Sequence, residues 1–504
     1  MLAVGCASVA APVAVNKPRE MIVLEPGIIG FNSPMGALGE PRGSYASGDM
    51  DRALSLLPVR ALRFPGGTVA NYFDWETGSL MEEALERSGR EKLVDNQRKA
   101  RERNKGILPP VDFGSFHTVT EEHGIRRFVV LNLLTSPIES TIVTIDRIKK
   151  EYPGQYYWEL GNELSQGSYR GRAFATDAFN ESVYVRLANR IAAHIEAHYP
   201  EDRVGLVVGQ LIEGRTPAVR KFRNLQEQRA EWDRAVAGVD HADAVIIHPY
   251  VELDKRLPMS QARSLMKELP GMTRKAQVQW RWMFACAQEL PGLYVQRLEN
   301  RFPDRKIWIT EAGLANDSDA RNALAQAHDM SRVLFDVAYF ISWLRVYPAW
   351  ETFLYHGLFP GKRNMAAFAA DMGWNANTVA YVFLERLLEQ GRAIAVMDIS
   401  DSPEYHGTGF YADRRVRALT GAYVSTDDGD RILLVNTGPE PVEVRIPFAG
   451  MSTVTAGGAH DAEVDVADFD DAELFRRVSG ISGAVAVPAY SVVLISESVR
   501  RDNG

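Results

Sequence analysis

Cysteine is nearly missing from the 504-residue sequence: Cys6 and Cys286 are the only two, so no disulfide framework is implied. Cys286 sits inside a helical pattern and reads as a small buried apolar residue. No apolar run approaches the roughly 18 residues that a membrane span requires. Basic residues are not in surplus: 57 Lys+Arg against 65 Asp+Glu leave a formal charge of -8, which argues against a nucleic-acid binder, whose surface would show a basic face. There is no Gly-Lys-Ser/Thr phosphate loop, no dinucleotide fingerprint with its acidic partner, and no zinc-ligand spacing, and Gly66-Gly67 reads as a turn. Neither a cofactor nor a metal is expected.

What the chain does have is two apolar runs that each end on a carboxylate: Tyr156-Tyr157-Trp158-Glu159-Leu160-Gly161-Asn162-Glu163 and Lys306-Ile307-Trp308-Ile309-Thr310-Glu311-Ala312-Gly313. A strand that merely reaches solvent also ends this way. The neighbours of each Glu favour another reading. Adjacent side chains on a strand face opposite sides, so Asn162 and Glu163 can act together only where the backbone turns. Gly161 and Gly313 supply that freedom. Two Glu residues delivered to one end of a barrel are the minimum equipment for cleaving a glycosidic bond with retention of configuration.

Strand-like runs alternate with helical patterns at the spacing of a βα repeat. The candidate strands are Gly27 to Asn32, Ala61 to Phe64, Arg127 to Leu134, Tyr156 to Leu160, Arg203 to Val208, Ala244 to His248, Lys306 to Thr310 and Glu351 to Tyr355. Helical stretches include Ser182 to His198, Met259 to Phe302 as two helices broken near Pro270 or Pro291, Asp319 to Arg345, and Thr378 to Glu389, which stops before Gly391. After Gly391 the pattern turns to short alternating strands: Ala393 to Asp398, Arg417 to Ser425, Arg431 to Asn436, Glu440 to Pro447 and Val485 to Ser496. The fold class expected is α/β: a (β/α)8 barrel over residues 27–390, then an antiparallel β-sandwich over 391–500 that a strand at 20–24 completes. The acidic stretch Asp461 to Glu473 reads as a solvated loop, because it lacks the ligand spacing of a calcium site.

Residues 1–19 form a tail in which Ala3-Val4-Gly5-Cys6-Ala7-Ser8 resembles the lipobox of a bacterial lipoprotein. The resemblance implies a lipidated Cys6, membrane attachment and a place in the bacterial cell envelope, or secretion. The charged segment that ordinarily comes first is absent, which leaves a truncated start or a disordered apolar tail as alternatives.

The segment Leu62-Arg63-Phe64-Pro65-Gly66-Gly67-Thr68-Val69-Ala70-Asn71-Tyr72-Phe73-Asp74-Trp75, together with Trp158-Glu159-Leu160-Gly161-Asn162-Glu163, resembles the clan A glycoside hydrolases, in particular arabinofuranosidase-like and heparanase-like members. The resemblance extends from about residue 20 over nearly the whole chain, and it is specific for the clan and weak for the substrate. It implies a general acid/base at Glu163, a nucleophile at Glu311, and substrate-binding roles for Asn162, Tyr250 and His248. Arg63 is placed to hold Glu311 ionised; a strand-end salt bridge is the alternative. His356 closes the eighth candidate strand, and for both histidines a hydrogen-bonded wall position is the alternative. Trp75, with Tyr72 and Trp374, offers aromatic faces for sugar rings unless these residues are core.

Arg170 and Arg172, and the cluster Arg98, Lys99, Arg101, Arg103 and Lys105, favour an acidic sugar if they line the cleft. A solvated helix face is the default for the second cluster, since Asp95 and Glu102 interleave with it. The expected partner is an oligo- or polysaccharide. Three readings stand: an arabinofuranosidase-like hydrolase, a heparanase- or glucuronidase-like hydrolase of acidic glycans, and a non-catalytic glycan-binding surface protein. The stretch Phe64 to Thr68 tilts the choice towards the first. Oligomeric state and exo or endo action are left open.

Overall fold

The computed structural model describes residues 12–33, 48–103, 113–170, 178–210, 220–253, 268–269, 272–315, 324, 329–358, 367–368, 373–399, 401–448, 450–457 and 475–497. Eight parallel strands close on themselves: β1 Ile29–Asn32, β2 Ala61–Phe64, β3 Arg126–Val130, β4 Tyr157–Leu160, β5 Arg203–Val207, β6 Ala244–Ile247, β7 Lys306–Ala315 and β8 Trp350–Tyr355. The β6–β7 and β8–β1 pairings complete the ring. A helix follows each strand: α1 Asp49–Leu56, α2 Phe113–Glu122, α3 Ile138–Glu151, α4 Glu181–His198, α5 Arg220–Val236, α6 Arg274–Glu299, α7 Met330–Leu344 and α8 Ala376–Leu388. The strands are buried on both faces because helices cover the outside, so they read as apolar runs without alternation.

The inward residues form layers. Tyr157, Phe128 and Trp308 pack together in the lower one, with ring centroids 4.8 to 5.6 Å apart. Gly205 makes room for them, since a Cβ there would lie 2.5 Å from the Trp308 ring. One step up, the interior turns polar: Asn32, Arg63, Glu159 and Thr310 hydrogen-bond to one another across it. The apolar floor and polar ceiling are set by period-two alternation along each strand.

Two backbone irregularities decide what reaches the C-terminal rim. The register of β7 against β8 shifts between Ile309 and Ala312, so the consecutive residues Thr310 and Glu311 both turn inward. After β4, Gly161 adopts φ 92° and Glu163 φ 51°, which turns the chain at the strand end. A left-handed conformation costs a residue with a Cβ roughly 1–3 kcal/mol, a strain characteristic of functional sites.

The second domain is a sandwich. One sheet runs in the order Ile22–Val23, β9 Gly391–Val396, β10 Leu419–Thr426, β11 Arg431–Asn436, β16 Ser491–Glu497, β13 Met451–Gly457, β14 Arg476–Ile481. Facing it is a small sheet of Val13–Ala14, β12 Val442–Arg445 and β15 Ala484–Val487. Ile432 and Leu434 of β11 point into the sandwich core while Leu433 and Val435 join the barrel core. Every residue of α7 is buried, the charged Arg332 and Asp336 among them. Trp280 of α6 donates to the Thr437 carbonyl at 3.1 Å, tying the two domains.

Several boundaries differ from the sequence-based ones. The third strand stops at Val130, because the Asn132 side chain accepts from the Leu134 and Thr135 amides and turns the chain. Of the two positions expected to break the helical stretch before Phe302, Pro291 lies inside α6, which runs through it unbroken, and Pro270 lies outside the described residues. The final strand divides into β15 and β16, separated at Pro488. Strands β13 and β14 were not anticipated, and Val13–Ala14, expected in the tail, pairs with β12. Cys6, Lys105, Arg172 and the stretch 461–473 lie outside the described residues.

Asp202, whose side chain is fully buried, accepts from Trp158 Nε1 at 2.8 Å, the Tyr156 amide at 3.0 Å and Lys149 Nζ at 2.9 Å, and so anchors the base of β4. Replacing it by alanine strands two buried donors, the Trp158 indole and the Tyr156 amide, while Lys149 keeps the Gly154 carbonyl and Glu201, and is expected to cost about 3 kcal/mol. Urea unfolding should show a lower midpoint with an unchanged slope, and an unchanged midpoint would contradict this role.

Candidate active site

Arg63, with no exposed side-chain surface, sits on β2 and reaches four partners. Its Nε–H points between both oxygens of Glu159 at 2.9 Å each. Nη1 donates to Glu311 Oε1 at 2.6 Å and to Asn32 Oδ1 at 3.1 Å, and Nη2 donates to Asn162 Oδ1 at 2.9 Å. Gly66 is required beside this cluster, since a Cβ there would lie 2.0 Å from Asn32 Oδ1. Asn71 fixes the turn after β4 from the other side: its Nδ2 donates to the Asn162 carbonyl at 2.7 Å and its Oδ1 accepts from the Asn162 amide at 2.9 Å.

Glu311 receives a second hydrogen bond on its other oxygen, from the Tyr250 hydroxyl at 2.6 Å. His356 bonds the same Tyr250 hydroxyl and lies 3.5 Å from Glu311 Oε2. Glu163 Oε2 accepts from Gln166 Nε2 at 2.5 Å, and Oε1 faces His248 Nδ1 at 3.1 Å. His248 Nδ1 is also 3.7 Å from Glu311 Oε2, and one oxygen of each Glu together with a His248 nitrogen all lie within 4.8 Å of one another.

The electrostatics separate these groups. Burial pushes the Glu311 carboxyl up, but His248, His356 and Arg63 outweigh it and hold the group well below the usual carboxylate range. Burial would lower His248, yet the carboxylates of Glu311 and Glu163 raise it above the ordinary value. Burial and then Glu311 push the Tyr250 hydroxyl far up, so it remains a donor. The Glu159 carboxyl is raised by burial against the pull of Arg63 and His248.

Glu163, His248 and Glu311 are, among the described residues, the one trio spaced to share a metal ion. The hydrogen bonding fits a different use. Both oxygens of Glu311 already accept from Arg63 and Tyr250, one oxygen of Glu163 accepts from Gln166, and a cation would stand beside a buried guanidinium.

Seven of the residues singled out in the sequence thus share one network: Arg63, Asn162, Glu163, His248, Tyr250, Glu311 and His356. Trp75 and Arg170 make different contacts. The Trp75 ring packs against Phe64, Phe73 and Phe113. Arg170 donates to the Gln228 carbonyl at 3.0 Å and lies 3.6 Å from Glu181. Tyr72 is buried, Trp374 packs on Phe475, and Arg98 pairs with Glu82 and Glu86.

Sequence reasoning missed Glu159, Thr310, Asn32, Asn71 and Gln166. For Glu159 the signal was present, since a charge inside a buried apolar strand demands a partner.

No family model matches the sequence, and a comparison with curated proteins finds no match either. Solved structures match in fold. One is a family 51 α-L-arabinofuranosidase from Bifidobacterium longum, 12% identical, with TM-score 0.65 over 97% of this chain and 99% of that one. Another is the GH51 arabinofuranosidase from Xanthomonas axonopodis pv. citri, 14% identical, TM-score 0.64, over 96% and 98%. A third is a 4-O-α-L-rhamnosyl-β-D-glucuronidase from Fusarium oxysporum, 11% identical, TM-score 0.57, over 96% and 99%. The chain therefore shares the barrel-plus-sandwich fold of these proteins over their full length.

The raised His248 contributes stability that is fully present below the unfolded value near 6.5 and is lost as pH rises through its folded value. The depressed Glu311 does the opposite, contributing above about 4.5 and losing it as pH falls. Because Glu311 helps to raise His248, NMR titration of the His248 ring should give a lower value in Glu311→Gln than in the wild type. An unmoved titration would show that the ring does not sense that carboxylate.

Proposed function

We propose that the protein is a retaining glycoside hydrolase acting on arabinofuranosides, with Glu311 as nucleophile and Glu163 as acid/base. The observation that carries this is the separation of the pair, whose facing carboxylate oxygens lie within 4.8 Å. Retention needs carboxyl groups about 5–5.5 Å apart, and inversion needs roughly 6.5–9.5 Å to admit a water. Their positions support it too, at the C-terminal rim after β4 and on β7, where barrel enzymes carry their chemistry.

In the first step an oxygen of Glu311 attacks the anomeric carbon while Glu163 protonates the leaving oxygen. In the second, Glu163 takes a proton from water as the water oxygen displaces Glu311. Arg63 and Tyr250 keep Glu311 ionised and aimed. Arg63 also occupies Asn162 Oδ1, so the Asn162 NH2 is the group offered to a hydroxyl beside the anomeric centre. The preference for a neutral sugar follows from the stretch Phe64 to Thr68 and from the basic groups: Arg170 and Arg98 are already engaged by protein partners. A binding-only protein would not need two Glu residues held at this separation.

A mechanism-based probe of arabinofuranose configuration should label Glu311, as read by peptide mass mapping. Glu163→Ala should lose about 10²–10⁴-fold on phenyl arabinofuranoside, less on the dinitrophenyl analogue, and recover with azide. Labelling elsewhere, with Glu311→Ala still fully hydrolytic, would overturn the assignment.

A further inference from the structure

Behind the catalytic pair runs a chain of hydrogen bonds that the double displacement does not call on. Thr310 Oγ1 lies 3.3 Å from Glu159 Oε2 and 3.2 Å from His248 Nε2. His248 Nδ1, at the other side of the ring, faces Glu163 Oε1 at 3.1 Å. Thr310 and Glu159 have no exposed surface, and His248 is buried. A threonine hydroxyl has one proton to give. Both Glu159 oxygens accept from the Arg63 Nε–H, so Glu159 is an acceptor and the Thr310 proton goes to it. The Thr310 oxygen must then accept from the ring, which fixes Nε2 as the protonated nitrogen. Only Nδ1 is left to gain or lose a proton, and it faces the acid/base.

We propose that Glu159, acting through the Thr310 hydroxyl and the His248 ring, is a positioning residue for the proton that Glu163 delivers and recovers. This rests on the assignment of Glu163 as acid/base made above. With Nε2–H fixed, Glu163 Oε1 and His248 Nδ1 hold one proton between them, as an acid facing a lone pair or a carboxylate facing an N–H. When the glycosidic bond breaks, its electron pair goes to the leaving oxygen, the shared proton follows, and a Glu311 oxygen bonds the anomeric carbon. A carboxylate then faces a lone pair. That repulsion is relieved when water gives up its proton to the pair, its oxygen bonding the anomeric carbon as the Glu311 ester bond breaks.

The opposite tautomer would present a fixed N–H to Glu163, stabilise its carboxylate, and weaken it as an acid and as a base. The charged and titratable groups facing the ring are Glu163 from the turn after β4, Glu311 on β7, Arg63 on β2 and, through Thr310, Glu159 on β4. Beyond Glu311 stand Tyr250 and His356. The two catalytic carboxylates outweigh burial and Arg63, which keeps the ring's exchangeable proton available at higher pH.

The test uses Thr310→Val, which keeps the side-chain shape and removes the hydroxyl, and Thr310→Ser, which restores it, both in the full chain. In Thr310→Val the loss should be about tenfold greater on phenyl than on dinitrophenyl arabinofuranoside, because only the former needs its leaving oxygen protonated. The alkaline limb of kcat/KM should move down by about one pH unit, and Thr310→Ser should reverse both changes. Nitrogen-15 NMR of the His248 ring should show Nε2 protonated in the wild type and mixed tautomers in Thr310→Val.

Equal losses on the two substrates, an unmoved alkaline limb, or an unchanged tautomer in Thr310→Val would overturn the relay. Failure of the wild type to turn over either substrate, with no label on Glu311, would instead remove the hydrolase assignment. The tautomer measurement decides the hydrogen-bond relay in either case.

Discussion

The buried guanidinium of Arg63 is the constraint on which the site depends. It stands with no solvent contact between two carboxylates, Glu159 and Glu311, and holds two asparagine side chains besides. A lone buried charge is far too costly to keep, and removing one partner from such a cluster typically costs about 3–5 kcal/mol. One cation cannot balance two carboxylates, so the cluster draws in further donors and positive charge: Tyr250, His356, and a His248 ring raised above its ordinary value. The low proton affinity of Glu311 follows from that arrangement. It is a property of the whole polar layer in the barrel rather than of a single contact.

The barrel makes such a layer possible by geometry. Period-two alternation puts Phe128, Tyr157 and Trp308 in a dry floor and places Asn32, Arg63, Glu159 and Thr310 immediately above it. Regular strands alone would waste half of the rim residues, because neighbours face opposite sides. The register shift on β7 and the left-handed backbone at Glu163 break that rule at the two places where adjacent side chains are used together. Asn71 and Gly66 hold the resulting turns and close approaches in place.

Much of this was legible in the sequence. All eight barrel strands were placed, because a strand covered on both faces is written as an apolar run, and Trp158-Glu159-Leu160-Gly161-Asn162-Glu163 marked a rim by ending one on polar residues. What stayed hidden depends on long-range contact. Nothing local says that Glu159 would meet Arg63 across the barrel. The early end of β3, by contrast, is a local signal that was overlooked, since Asn132 accepts from amides only two and three residues on. The sandwich was read less fully, since β14 is largely exposed and carries no apolar alternation, while Val13–Ala14 pairs with a strand hundreds of residues away. Aromatic residues such as Trp75 look alike in sequence whether they face a sugar or a neighbouring Phe.

The central claim is that two carboxylates held this close act by double displacement, and the stereochemistry of the product tests it most directly. Proton NMR should follow the first-formed products of an aryl α-L-arabinofuranoside in the presence of methanol. The account predicts a methyl glycoside and a free sugar of the same anomeric configuration as the substrate. A first product of inverted configuration would contradict it.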